Sequence, residues 1–207
     1  VVGLSALPSP QGDAANGPPP AAADLSPAAP VDAEELRSRI KTGEWVVDLR
    51  DRTAYAAEHV HGTIGITLGD QFCTYLGWLI PWGTPLTLVG ASEDEVRAAQ
   101  RDLVRIGIDR LEGQAVGDVA QLLAPGDDGP GRYPRRTFAD LPDDLVQRIR
   151  AMAAENSAEE VQDPAPRRLV LDVHRDDERT TGHILGSVHI PLHSLLQRMD
   201  EVPDAEL

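Results

Sequence analysis

The sequence predicts an α/β protein built on a parallel sheet covered by helices on both faces. Three observations carry that expectation. Apolar runs at 45–49, 85–89 and 169–173 are short and nearly continuous rather than alternating, the pattern of strands buried on both sides. Helical stretches with apolar residues three or four apart stand between the first two and after them. Segments rich in Gly, Pro and Asp at 125–136 and 163–166 break the chain into two ordered stretches.

The elements follow in order. Residues 1–31 hold seven of the 17 prolines among Ala and Gly, a composition that cannot pack a core and reads as a semi-rigid linker. Asp32 with Glu35 three residues on has the spacing of a helix cap, and the helix runs to about Thr42 and stops at Gly43. Strand 45–49 ends on Asp48 and Leu49. A short helix over 53–58, a strand over 63–67 and a helix over 71–80 come next, with Phe72, Tyr75, Trp78 and Trp82 forming an aromatic stripe that reads as core or interdomain contact. Strand 85–89 leads into an amphipathic helix over 93–107, with Val96, Leu103, Val104 and Ile106 on its apolar side. A last strand over 108–111 and a last helix over 116–123 complete the first unit. A further helical pattern spans 141–155.

Composition narrows the function classes. The chain has 207 residues, with 19 Lys and Arg against 34 Asp and Glu and a formal charge of −15, so it offers no basic face to nucleic acid. No apolar stretch approaches the roughly 20 residues needed to span a bilayer, and no membrane partner is expected. A single cysteine, Cys73, excludes an internal disulfide and a thiolate zinc cluster, as is ordinary in a reducing cytoplasm. Residues 1–36 contain no Lys or Arg, so the cationic start of a secretory signal is missing. The initial Val1 reads as an alternative start or as a piece of a longer protein.

The chain repeats itself at an offset of 124. Asp48 matches Asp172, His59 matches His183, Gly62 matches Gly186 and Ile66 matches Ile190. Leu49 with Val173, Val60 with Ile184, Thr63 with Ser187 and Ile64 with Val188 are conservative pairs. A repeat this long indicates duplicated domains rather than a solenoid, whose units run about 20 to 50 residues.

The repeated pattern, Val47-Asp48-Leu49-Arg50 with His59-Val60-His61-Gly62-Thr63 and Leu171-Asp172-Val173-His174 with Gly182-His183-Ile184-Leu185-Gly186-Ser187, resembles the rhodanese-like domain. The resemblance covers about 32–124 and 167–207. It implies a doubly wound parallel sheet: one near-complete domain, a linker with one helix over 125–166, and the first half of a second copy. The layout is similar to the tandem rhodanese tail of fusion proteins with a metallo-β-lactamase-fold, persulfide-dioxygenase-like domain in front, which act on small persulfides and sulfane sulfur.

The resemblance also implies where a nucleophile belongs. The family carries a cysteine directly after a central strand, in a loop whose amides and helix N-terminus depress the thiol pKa and hold the anionic persulfide. Here that loop is Gly90-Ala91-Ser92-Glu93-Asp94-Glu95-Val96, and it holds no cysteine. Its three acids would repel thiosulfate or a persulfide anion; they also read as an ordinary helix start, with Ser92 as cap and Glu95 at the third helical position. The corresponding loop of the second copy falls at about 214, beyond Leu207, so that copy is expected to be truncated, and loosely packed or docked on the first. The second copy also departs from the family pattern, with His174 in place of Arg, Arg179 in place of an aromatic and Leu185 in place of Pro.

The remaining candidates read as structural. Cys73 sits on an aromatic helix and is expected to be a buried packing residue. His59-x-His61 resembles a metal-binding pair, but Gly62 and Thr63 stand where its partners would be, and His189 and His193 are separated by Pro191, so no metal is expected. His59 and His183 before Gly62 and Gly186 would bond the backbone and fix a tight turn. Asp48 and Asp172 would accept backbone N–H bonds or pair with arginine, Arg50 being the motif's own. The expectation is thus a protein without a cofactor, catalytically inactive as given, that binds or regulates a sulfur-carrying enzyme or an upstream metallo-hydrolase-like domain. The alternative is a fragment of a sulfurtransferase or persulfide-dioxygenase fusion whose zinc domain and cysteine loop lie outside this chain.

Overall fold

The order of the strands follows from which residues can be buried on both faces. The structure, a computed structural model, describes residues 25–109, 111–141, 143, 146–147, 170–184 and 186–203. β1 (Trp45–Asp48), β2 (Ile64–Gly65), β3 (Leu86–Gly90) and β4 (Leu111–Val116) form one sheet in the order β2-β1-β3-β4, all parallel. The two apolar runs take the centre, Val47 paired with Leu88 and Asp48 with Val89. Neighbouring residues of a strand point to opposite faces, so Val46 and Val47 enter different cores.

One face packs Val47, Leu49, Leu86 and Leu88 against α3 (Phe72–Leu79) and α4 (Glu93–Arg105), through Phe72, Leu76, Val96, Ala99 and Leu103. The other packs Val46, Val89 and Ala115 against α1 (Ala33–Lys41) and α5 (Val119–Leu122). The predicted doubly wound α/β arrangement is present. Local signals set its starts and stops: Asp32 Oδ1 accepts the Glu35 amide at 2.9 Å, and Gly43 beyond α1 has φ +80°. α2 (Arg52–Ala57) is capped by Asp51, whose carboxyl the Thr53 amide holds below its ordinary pKa.

Several features differ from expectation, among them the second strand, which is only Ile64–Gly65, and the last helix, which starts at Val119 because Val116 still belongs to the strand. The last strand lies at Leu111–Val116 rather than 108–111, because Glu112 and Gln114 are edge-strand residues whose polar side chains need no core, and they hide the strand from an apolar-run search. Residues 29–31, within the stretch read as linker, lie along this strand: Gln114 N donates to Ala29 O and Val31 N to Gln114 O, both at 2.8 Å. Val31 and Ala28 are buried there, so a Pro-containing segment covers an edge that would otherwise present open hydrogen-bonding groups. The aromatic stripe is core at Phe72 and meets the later segment at Trp78, whose ring lies 6.3 Å from that of His193, but it is not core throughout. Only Phe72 is fully buried; Tyr75 is exposed, and Trp82 stands beyond α3 with 80% of its surface open.

A second, two-stranded parallel sheet joins β5 (Leu171–Asp172) to β6 (Val188–His189). It is followed by a 3-10 segment, Leu192–Gln197, that lies against α3, the His193 ring 6.3 Å from that of Trp78. Most of the helical pattern over 141–155 lies outside the described residues. Among those residues no helix is long and apolar enough to cross a membrane.

The central strand tests this architecture. Leu88 is fully buried between β1 and β4, so Leu88→Ala is expected to destabilise the chain by about 3 kcal/mol with an unchanged denaturant slope, measured by urea unfolding.

Candidate functional site

The chain runs from β1 outward to β2, then returns to the other side of β1 for β3. The order therefore reverses between β1 and β3, and the crevice beyond their carboxyl ends is where parallel α/β sheets bind ligands. Two segments meet there: Asp48-Leu49-Arg50 after β1, and the 90–96 loop after β3.

Asp48 is completely buried at the end of β1, and its charge is met on every side. Arg50 Nε donates to its Oδ1 at 2.9 Å, Arg50 Nη2 donates to its Oδ2 at 2.5 Å, and the Arg50 amide donates to Oδ1 at 3.0 Å. These bonds, above all, hold the guanidinium pKa above its ordinary value. Arg50 Nη2 also donates to the Glu58 carbonyl at 3.0 Å, fastening the chain just after α2. Next along the chain, buried His59 is stacked between Tyr55 and Tyr133, ring centroids 4.2 and 4.8 Å away, and its Nδ1 donates to the Tyr55 carbonyl at 2.9 Å. Its backbone pairs both ways with Gly131, where a Cβ would lie 2.5 Å from His59 Nε2. His61 is exposed. Gly62 follows at φ +86°, its missing side chain leaving room for Ile40.

The loop after β3 turns its own carboxylate inward. Ser92 Oγ accepts the Glu95 amide at 3.2 Å, the expected cap, while Glu95 Oε2 accepts the Ala91 amide at 2.6 Å. A donor that an anion site would aim at its ligand is thus taken by the protein. Gly90 has no room for a side chain: a Cβ would lie 2.9 Å from Val96 Cγ2 and 3.1 Å from Glu95 Oε2. The expectation that all three acids crowd this cradle needs correction. Glu93 and Asp94 are exposed on the outer side of α4, beside Arg97 at 4.0 and 2.9 Å, because their i+3 and i+4 neighbour lies there.

The offset of 124 recurs as backbone geometry. Ile66 N donates to Asp48 O and Ile190 N to Asp172 O, each at 3.0 Å; Thr63 N bonds Val60 O and Ser187 N bonds Ile184 O; Gly186 has φ +72°. The side chains around the carboxylate differ. Asp172 is held by the His174 amide and Nδ1, at 3.1 and 2.8 Å, and by Arg179, whose Nη1 also donates to Ser187 Oγ at 3.0 Å. Arg179 occupies the place of Tyr55, whose hydroxyl donates to the carbonyl of Thr63, the residue matching Ser187. Here an arginine on the helix, rather than one at the strand end, reaches the carboxylate. His183 does not repeat His59: it is exposed, since the aromatic that would stack on it is now arginine.

Other candidates lie apart. Cys73 is only half-buried rather than sealed in the core, and burial raises its thiol pKa. His189 is in β6, its Nε2 bonded to the His174 carbonyl at 2.8 Å, and His193 faces Trp78. No group of three or more metal-ligating side chains is gathered among the described residues. Tyr133 and the inward turn of Glu95 escaped the sequence reading; the only signal was a tyrosine two residues after a glycine within a Gly- and Pro-rich stretch.

Solved structures similar to this chain include a metallo-β-lactamase from Staphylococcus aureus at 25% identity, covering 46% of this chain and 26% of that one with a TM-score of 0.39. The rhodanese-like domain of an Anabaena protein is 20% identical over 68% of this chain and 98% of that one, TM-score 0.42. A thiosulfate sulfurtransferase from Pseudomonas aeruginosa is 18% identical over 84% of this chain and 36% of that one, TM-score 0.39. The chain spans about a quarter of the first protein and about a third of the last. They include a rhodanese-like domain, the family that the repeated motif resembles. No protein-family model and no curated protein matches the chain.

Two outcomes test the buried carboxylates. Arg50→Met strands Asp48 without its cation and is expected to cost about 3 kcal/mol in urea unfolding, with much of the loss recovered when Asp48→Asn is added. Asp172 is partly offset by burial, yet its bonds to His174 and Arg179 hold its pKa below the usual value. A depressed folded pKa stabilises above the unfolded value of about 3.9 and is lost as pH falls below it. The protection factors of the 188–190 amides, which correct for the pH dependence of intrinsic exchange, should therefore fall as pH drops from that value through the depressed folded pKa, and Asp172→Asn should remove the dependence.

Proposed function

We propose that this chain is a rhodanese-like domain protein that does not itself transfer sulfur, and that it serves as a binding or regulatory module in sulfane-sulfur metabolism. Its partner in this reading is a sulfur-carrying enzyme or a metallo-hydrolase-like domain. The observation that carries the proposal is the loop after β3.

Sulfur transfer needs a thiolate that attacks the sulfane sulfur of thiosulfate, breaks its S–S bond, releases sulfite and leaves an enzyme persulfide. The thiolate and the persulfide need backbone N–H groups and a helix N-terminus aimed at them. At Gly90 there is no side chain to react, Val96 and Glu95 crowd the place where one would begin, and the Glu95 carboxylate already holds the Ala91 amide. Cys73 offers no substitute, since it lies on α3 and its burial favours the neutral thiol. What stands at the switch point is a buried ion pair of Asp48 and Arg50, spent on each other, beside a loop whose Ala91 amide is already taken, and neither offers covalent chemistry.

Purified chain incubated with thiosulfate and cyanide is expected to form thiocyanate no faster than the uncatalysed reaction, and mass spectrometry should find no added sulfur on the protein. Turnover above background that disappears in Cys73→Ser would overturn the proposal.

A further inference from the structure

The amino ends of β3 and β4 border a cleft that the switch point does not use. It has a volume of about 300 Å³ and is walled by Cys73, Trp78, Trp82, Ile106 and Ile108, with Asp109 among its lining residues. The Trp82 ring is placed by a glycine: a Cβ at Gly107 would lie 2.6 Å from Trp82 Cη2, so the indole rests on backbone that has no side chain. The rest of that ring is bare, 80% of the Trp82 surface being open to solvent.

We propose that this cleft binds a small free organic cation of the trimethylammonium class. Two indoles and a carboxylate suit that chemistry. A quaternary ammonium is attracted to the negative faces of aromatic rings, and its methyl groups gain from apolar walls that a hydrated ammonium would not enter. Asp109, exposed on the α4 to β4 turn, supplies the opposite charge. The other ionised side chains near Cys73, Asp102 and Arg105, neutralise each other at 3.0 Å, which leaves the carboxylate of Asp109 uncompensated by them. An anion would meet Asp109 and a chain charge of −15. The volume lies at the lower end of small-molecule pockets, which fits a compact ligand held whole. The inference is independent of the proposed function, since the cleft and the 90–96 loop lie at opposite ends of β3.

The full chain titrated with choline, followed by the indole N–H signals of its three tryptophans, tests this. Saturable shifts are expected at Trp78 and Trp82 and not at Trp45 on β1. The uncharged isostere, in which a tert-butyl group replaces the trimethylammonium, should bind at least about fivefold more weakly. Trp82→Ala and Asp109→Asn should each weaken choline by a similar factor, with Trp82→Phe intermediate; both positions are exposed, and an unchanged Trp45 signal reports an intact fold. Equal affinity for the isostere, shifts spread over all three indoles, no saturable shift, or unaltered binding by the variants would overturn the proposal. Tighter binding by a peptide bearing trimethyl-lysine than by free choline would overturn the assignment to a small free ligand.

Discussion

A carboxylate with no exposure to water, at the end of the central strand of a parallel sheet, is the constraint from which the rest of the first unit follows. A buried carboxylate needs donors around it, and Arg50 supplies them from its side chain and its amide. Once placed, the same guanidinium holds the Glu58 carbonyl and so positions His59, which in turn carries Tyr133 and Gly131 across the end of α2. The segment after α5 is tied down by these contacts at Gly131 and Tyr133, and nearer α5 by burial of Ala124 and by Arg37, whose Nη1 donates to the Pro125 carbonyl at 3.2 Å. Asp172 meets the same demand with different groups, His174 from the strand end and Arg179 from the following helical turn. What recurs is a carboxylate needing a cation; which residue brings the cation is free to change.

That requirement also shapes the surface beside it. The loop after β3 closes on itself through Glu95, which takes the Ala91 amide that the crevice at the switch point would otherwise leave open. An unoccupied amide cradle would draw in whatever anion was present, whereas a carboxylate built into the first turn of α4 satisfies the same donor and favours the helix start. Gly90, with Val96 and Glu95 filling the space where a Cβ would begin, gives a tight strand-to-helix turn.

Much of this fold was legible in the residues. Runs such as 45–49 and 85–89 announce doubly buried strands, and caps such as Asp32 and Ser92 announce helix starts, since each signal is local and needs no partner. β4 was misplaced because an edge strand tolerates Glu112 and Gln114, and its covering segment at 29–31 carries the Pro and Ala of a linker; only pairing makes either a strand-like element. The candidate loop was legible by position, as the turn after a central strand. The direction in which its acids point was not, because Glu93, Asp94 and Glu95 are equivalent on paper and only helix phase separates them.

By itself the sequence determined the parallel α/β class, the repeat at an offset of 124 and the lack of a cysteine in the 90–96 loop, because periodicity, motif spacing and residue identity are properties of the chain alone. The tertiary structure decided that His59 is buried while His183 is exposed, that Arg179 takes over from the strand-end arginine, and that Trp82 walls a cleft instead of filling a core. Each of these depends on what a side chain meets across space. A histidine needs two tyrosines brought to its faces, a carboxylate accepts a guanidinium from any element within reach, and an aromatic stripe is core only if another surface arrives to cover it.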